Sequence, residues 1–492
     1  MQRASGTVPG LRISVLNGAR IQEEGEYVLY WMTAFRRRAY NFALQRSVER
    51  ARQLNKPLLV FEGLRCDYPW ASDRFHAFVL QGMMANLRSI TQGGARHFPY
   101  VEREAGEGKG LLEALARRAC LVVMDDHPGF FLPAMRRAAA ARLNVALEAV
   151  DSNGFVPLRA APGPFSTAHA FRRFLQKDML EHLLASPLPD PLDGAGLSQL
   201  RAFPSGIVER WPPAGAGLFS GAAEHLRPLP LNHAVPPSPL PGGEAAARRH
   251  LAGFVAGKLT RYAEDRNHPD REGASGLSPY LHFGHISAHE VFAAVAGREG
   301  WSPDHLSVKA AGSRTGWWGM SASAEAFVDQ LVTWRELAFN GAAHMARYDD
   351  YESLPAWARA TLGAHGADRR PHLYSPQDLE GARTHDALWN AAQRQLVREG
   401  RLHTYLRMLW GKKILEWSPT PQAALETMTR LNDTYALDGR DPNSVAGIFW
   451  TLGRYDRPWG PIRPIFGTVR YMSSENTARK VSVKSYLERF SE

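Results

Sequence analysis

The chain has 492 residues, a formal net charge of +10, 44% hydrophobic and 22% charged residues, and two cysteines, Cys66 and Cys120. That length exceeds what one core ordinarily fills and favours two or more domains, while no run of about 18 apolar residues offers a membrane span. Two cysteines exclude a disulfide scaffold, a thiolate zinc site and an iron–sulfur cluster, and the cationic excess draws polyanions, so nucleic acid is the leading expected partner.

The first residues, "MQRASGTVPGLRISVLNG", lack the apolar core of a secretory signal, and a cytoplasmic protein is expected. From 26 to 151, short apolar runs alternate with amphipathic stretches: "EYVLYWM", "KPLLVFEG", "HFPYVE", "LVVMDD" and "VALEAVD". This pattern predicts a parallel sheet with crossover helices over residues 1–160. No GxGxxG follows the first strand, and "GEGKG" (106–110) lacks the spacing of a phosphate loop, so it reads as a surface turn. Residues 161–245 carry proline and glycine clusters such as "WPPAGAG" and "PLPLNHAVPPSPLPGG", expected to form an interdomain linker. Beyond 245 nearly every segment has helical periodicity, so an all-helical domain over 246–492 is predicted.

Within that half lies "DALWNAAQRQLVREGRLHTYLRMLWGKKILEW" (386–417). Helices over 386–398 and 401–417 broken at Gly400 predict an antiparallel hairpin. Trp389 and Trp410, about 30 Å apart on one continuous helix, then face one another, with Trp417 about 10 Å beyond Trp410 on the same face. Core filling accounts for any single indole, and a relay of oxidisable rings accounts for the set; spacing leaves both open.

The following segment, "LNDTYALDGRDPNSVAGIFWTLGRYDRPWGPIRPIFGTVRYM" (431–472), taken with "ASGLSPYLHFGHIS", "AFVDQLVTWRELAFN" and the hairpin, closely resembles the flavin domain of class II cyclobutane pyrimidine dimer photolyases, in the photolyase and cryptochrome superfamily. The resemblance implies an α/β domain followed by a helical FAD-binding domain, and light-driven DNA repair by a carbon–carbon lyase. The expected partner is double-stranded DNA carrying UV lesions, and the expected state is a monomer without a metal. A deazaflavin-type antenna chromophore is a further expectation.

By the same resemblance, Tyr262, Ser275, Leu277 and Ser278 line the FAD site, with Arg335 near the diphosphate and Asp441 near the adenosine. Taken alone, "SGLS" also reads as a helix cap ahead of "PYLHFG". Arg407 and Asp438 match an ion pair against the isoalloxazine, and Asn432 matches an asparagine facing flavin N5. Trp334 and Trp450 match two aromatics that hold a flipped dimer, with Met408 beside it. Trp389, Trp410 and Trp417 match photoreduction tryptophans. Each of these has a bland alternative in core packing or a buried ion pair. Arg314, Lys412, Lys413 and Arg457 are candidates for phosphate contact, against the alternative of solvated surface charge.

Gln330 departs from the family, which has glutamate there. Glutamine donates and accepts hydrogen bonds but delivers no proton. Three functions follow: a DNA repair lyase, a cryptochrome-type photoreceptor with weak or no repair, and a DNA-binding protein without cofactor chemistry.

Overall fold

The computed structural model describes residues 3–4, 6–204 and 206–491. Backbone packing divides the chain into two compact units, one of Met1–Pro162, Met179–Ala252 and Leu277–Asp304, the other of Gly163–Asp178, Gly253–Gly276 and His305–Glu492.

The first unit is built on a six-stranded sheet in the spatial order Ile13–Val15, Leu147–Val150, Ala119–Asp125, Tyr27–Met32, Leu58–Leu64, Arg96–Val101. All neighbours are parallel except the first pair. The two central strands are buried along their whole length. They therefore read as continuous apolar runs, as expected of strands covered on both faces. Alternation is visible only in what each face meets. Val28, Tyr30 and Met32 join one core with Leu58, Val60 and Val123, while Tyr27, Leu29 and Trp31 join another with Leu59, Phe61 and Val122. The five predicted strands are all present. The sixth, Ile13–Val15, was not anticipated because three residues on an edge carry no period, and Val15 is 72% exposed.

Asp125, at the end of a central strand, accepts hydrogen bonds from the backbone N–H groups of Thr33, Ala34 and Phe35 and from the Tyr30 hydroxyl. One buried carboxylate thereby fixes the turn that leaves the neighbouring strand. The "GEGKG" segment is a turn, with Gly106 and Gly110 at φ of +81° and +88°, and its Glu107 carbonyl accepts from the Trp211 indole. Trp211 itself is buried against Leu111 and Leu115. Phe219, Leu226 and Leu229 likewise pack on Leu80 and Met83. Proline-rich chain is thus held on this unit by a few large apolar anchors, without long helices.

The second unit is helical. Thr420 and Asp441 cap Pro421–Tyr435 and Pro442–Thr451 through their side chains, each followed by proline in the first turn. Asp386 caps Ala387–Glu399 by accepting from the Trp389 N–H, and Gly400 ends that helix at φ +72°. The partner helix runs Thr404–Trp417. Gly411 lets it approach Pro442–Thr451 closely, since a Cβ there would lie 2.6 Å from the Thr451 methyl. Another helix, begun at Ala322–Val328, passes through a π-helical turn over Asp329–Trp334 and resumes as Arg335–His344. Single π turns inside α-helices frequently mark functional positions. Arg172 on Ala168–Asp178 pairs with Asp329 at 2.8 Å and pins this turn.

Candidate functional site

Arg407, half-buried on Thr404–Trp417, donates to both Asp438 oxygens at 3.0 and 3.3 Å. Its other terminal nitrogen reaches the Ser444 hydroxyl at 3.4 Å. Asn432 donates to that same hydroxyl and to Asp433, each at 2.8 Å. Three residues expected from sequence, Arg407, Asn432 and Asp438, are therefore joined in one network through Ser444, which was not. Asn432 and Ser444 are 3% exposed, whereas the side chains of Arg407 and Asp438 keep 17% and 15%. The ion pair is thus open on one side.

The three indoles form a buried cluster. Trp389 and Trp417 meet edge to face with centroids 5.4 Å apart, the Trp389 N–H donates to the Trp410 carbonyl at 3.0 Å, and the Trp410 N–H donates to Gln393 at 2.8 Å. Facing rings at 389 and 410 were expected; the ring partner of Trp389 is Trp417. The reason is register. The second helix begins at Thr404 rather than 401, which moves the mirror point, and the Trp389 indole meets both the Trp410 carbonyl and the Trp417 ring. Tyr374 and His385 pack against Trp417 at 5.3 and 5.4 Å.

Trp334 ends the π turn and stacks on Trp450, with centroids 4.7 Å apart and planes 19° from parallel. No base fits between rings that close. Gln330, on the same turn, is half-buried; its carbonyl accepts from the Arg335 N–H, and its side chain makes no hydrogen bond within the described residues. Met408 is partly buried against the C-terminal core.

Tyr262 is 7% exposed and meets Phe254 and Phe327 edge-on. Arg335, 9% exposed, lies over the Phe339 ring at 4.4 Å. Asp441 caps Pro442–Thr451 by accepting from Asn443 N–H. Ser275 is half-buried in the second unit. Leu277 and Ser278 fall in the first unit, Leu277 buried and Ser278 exposed. No serine caps Ser278–His282, because Leu277 stands at the cap position.

No protein-family model matches the chain. The deoxyribodipyrimidine photo-lyase of Methanothermobacter thermautotrophicus is 33% identical over 485 residues, covering 97% of each chain. The chain belongs to the deoxyribodipyrimidine photo-lyase family. The family member from Oryza sativa subsp. japonica is 36% identical over 482 residues, covering 94% of this chain and 87% of its own. A crystal structure of a class III photolyase from Agrobacterium tumefaciens shares the fold, with TM-score 0.68 at 17% identity over 95% of this chain and 86% of that one.

Two of the residues expected to touch phosphate, Lys412 and Lys413, are buried instead. Lys412 is 1% exposed and donates to the Thr451 carbonyl, and Lys413 is 6% exposed between Glu416 and Asp386. Burial pulls the Lys412 amine down to about 7. Two consecutive lysines read as surface charge, yet this stretch of helix is packed on both sides. Arg314 and Arg457 are exposed. Arg457 and Arg470 lie over the Trp459 ring at 4.6 and 5.2 Å. Ser444 and Gln393 escaped the sequence reading because their partners lie on other turns and helices; no local spacing signals them. Among the described residues no group of three His, Cys, Asp or Glu side chains could hold a metal, and no helix is long and apolar enough to cross a membrane.

Proposed function

We propose that this chain is a light-driven DNA repair lyase that binds FAD in its helical unit and splits cyclobutane pyrimidine dimers. The observation that carries this reading is the network joining Arg407, Asp438, Asn432 and Ser444, in a chain that aligns with photo-lyases over nearly its full length. The donor set suits a flavin. A guanidinium–carboxylate pair open on one side offers a charged face, and Asn432 keeps a carbonyl oxygen without a hydrogen bond among the described residues.

When bound and reduced, FAD would supply the photoexcited electron that opens the dimer and that afterwards returns. Arg407 and Asp438 would hold the isoalloxazine, Asn432 would meet N5, and Tyr262, Ser275, Arg335 and Asp441, all on the helical unit, would serve the rest of the cofactor. Trp389, Trp410 and Trp417 would carry electrons during photoreduction, a role supported by the Trp389–Trp417 ring contact and by the hydrogen bond from the Trp389 indole to the Trp410 carbonyl. The dimer, flipped from the helix, would rest on the outer face of the Trp334–Trp450 stack beside Met408 and Gln330. Stacking of about 1–3 kcal/mol per base offsets much of the few kcal/mol that flipping costs. Exposed Arg314 and Arg457 would neutralise backbone phosphates. Class II membership, a deazaflavin-type antenna, a monomeric state and a cytoplasmic location belong to the same proposal.

Gln330 favours a second reading, a photoreceptor with weak or no repair. Reduced protein incubated with dimer-containing DNA under blue light, scored for restored thymines, separates the two. Repair by the native chain, rising about two- to tenfold in Gln330→Glu as one hydrogen bond strengthens, is expected. No repair by the native chain with repair by the variant would establish the photoreceptor reading instead.

A further inference from the structure

The hydrogen bonds around Asn432 determine which end of its amide is available. Its nitrogen donates twice, to Asp433 Oδ1 and to Ser444 Oγ, both at 2.8 Å. An amide nitrogen has only two protons, so both are engaged. The assignment of nitrogen and oxygen follows from chemistry: a carboxylate only accepts, and Asp433 Oδ1 also accepts from the Arg440 backbone N–H at 3.0 Å, so the atom beside it must be the donor. Rotating the amide would bring its oxygen against that carboxylate inside a core where Asn432, Asp433 and Ser444 are 3%, 7% and 3% exposed. On rotation Ser444, whose oxygen already receives Arg407 Nη1, would give up the Asn432 donor and have to turn its own O–H toward the amide oxygen.

We infer that Ser444 is a positioning residue for the flavin chemistry, a shared acceptor that works with Asp433 to lock Asn432 with its carbonyl oxygen outward and ties that orientation to Arg407. The inference rests on the flavin reading given above. An outward carbonyl accepts a hydrogen bond and therefore favours a proton on the flavin nitrogen it meets; an outward NH₂ would favour the deprotonated form. Ser444 thus sets the protonation preference at N5 without touching the reacting atoms.

The test compares purified native protein with Ser444→Ala, Ser444→Thr and Asp433→Asn, each loaded with FAD. The readout is the pH midpoint between the neutral and anionic forms of the one-electron photoreduced flavin, which differ by the N5 proton, followed by visible absorption. Ser444→Ala and Asp433→Asn are expected to shift the ratio of these forms toward the anion by about two- to tenfold, the range one neutral hydrogen bond spans. Ser444→Thr, which keeps the hydroxyl, is expected to stay near native. Unchanged midpoints in both disruptive variants would overturn the lock, whereas native protein that takes up no FAD would sink the flavin reading itself. Should the variants not fold, infrared difference spectra of native protein labelled with ¹³C-asparagine decide. A labelled side-chain carbonyl band that moves on flavin reduction supports the lock, and a labelled carbonyl that does not respond overturns it.

Discussion

Lys412 holds an ammonium inside a helical core with one carbonyl, that of Thr451, as its hydrogen-bond acceptor. Its folded-state value near 7 lies below the ordinary 10.5 because burial disfavours the charge. The unfolded chain therefore binds the extra proton between pH 7 and 10.5, and stability rises with pH across that window. Below pH 7 the full penalty is present. Lys412→Met should accordingly be more stable than the native chain at pH 6, with the difference shrinking or reversing by pH 10, as read from denaturation midpoints. Trp410 poses a different question, since its ring is anchored by Gln393 and its carbonyl by Trp389. Trp410→Phe removes an oxidisable ring while retaining aromatic bulk. Photoreduction should slow by an order of magnitude or more, with dimer repair by chemically reduced protein largely retained; unchanged photoreduction would return the cluster to packing.

At the scale of elements, the hairpin was legible because its signals are local: Gly400 as stop between two runs of helix-forming residues. Its register was not, because the first residue of the second helix depends on how Gly400–His403 turns. The π turn at Asp329–Trp334 was equally invisible, since "DQLVTW" has ordinary helical residues and the extra residue per turn is stabilised from outside, by Arg172 on Asp329. Close approach of helices is written more plainly. Gly411→Ala would set a methyl 2.6 Å from Thr451 Cγ2 and 3.0 Å from Met428 Sδ. Overpacking of this kind costs about 1–3 kcal/mol. Gly253→Ala, in Glu244–Gly257 where nothing lies within 4 Å, should be neutral or stabilising by comparison. Equilibrium unfolding of the two variants checks the contrast.

At the scale of the whole molecule, the α/β unit carries a buried charged cluster in which Glu62 accepts from Arg36 and His97 at 2.9 Å and from Asn86 at 3.1 Å. Burial alone would raise the Glu62 carboxyl, but these partners draw it down to about 2 from an ordinary 4.5. Its stabilising contribution is complete above pH 4.5 and is lost as pH falls toward 2. Glu62→Gln should flatten that acid limb. It should also lower neutral-pH stability by about 3–5 kcal/mol, because Arg36 and His97 stay buried without their carboxylate; thermal unfolding from pH 2 to 7 measures both.

Five of the six sheet strands, the α/β character of the first part and the helical character of the second were available from the sequence, and the resemblance carried by its motifs supplied Arg407, Asp438 and Asn432 as candidates. Periodicity, caps and motif residues are properties of neighbours along the chain. The tertiary structure alone decided that Ser444 joins Arg407 to Asn432, that Trp389 meets Trp417 and that Trp334 lies flat on Trp450. It also decided that Lys412 is buried. These depend on helix register and on partners from separate elements, and a hydrogen bond or ring contact across helices changes with a shift of a few ångströms that no local pattern encodes.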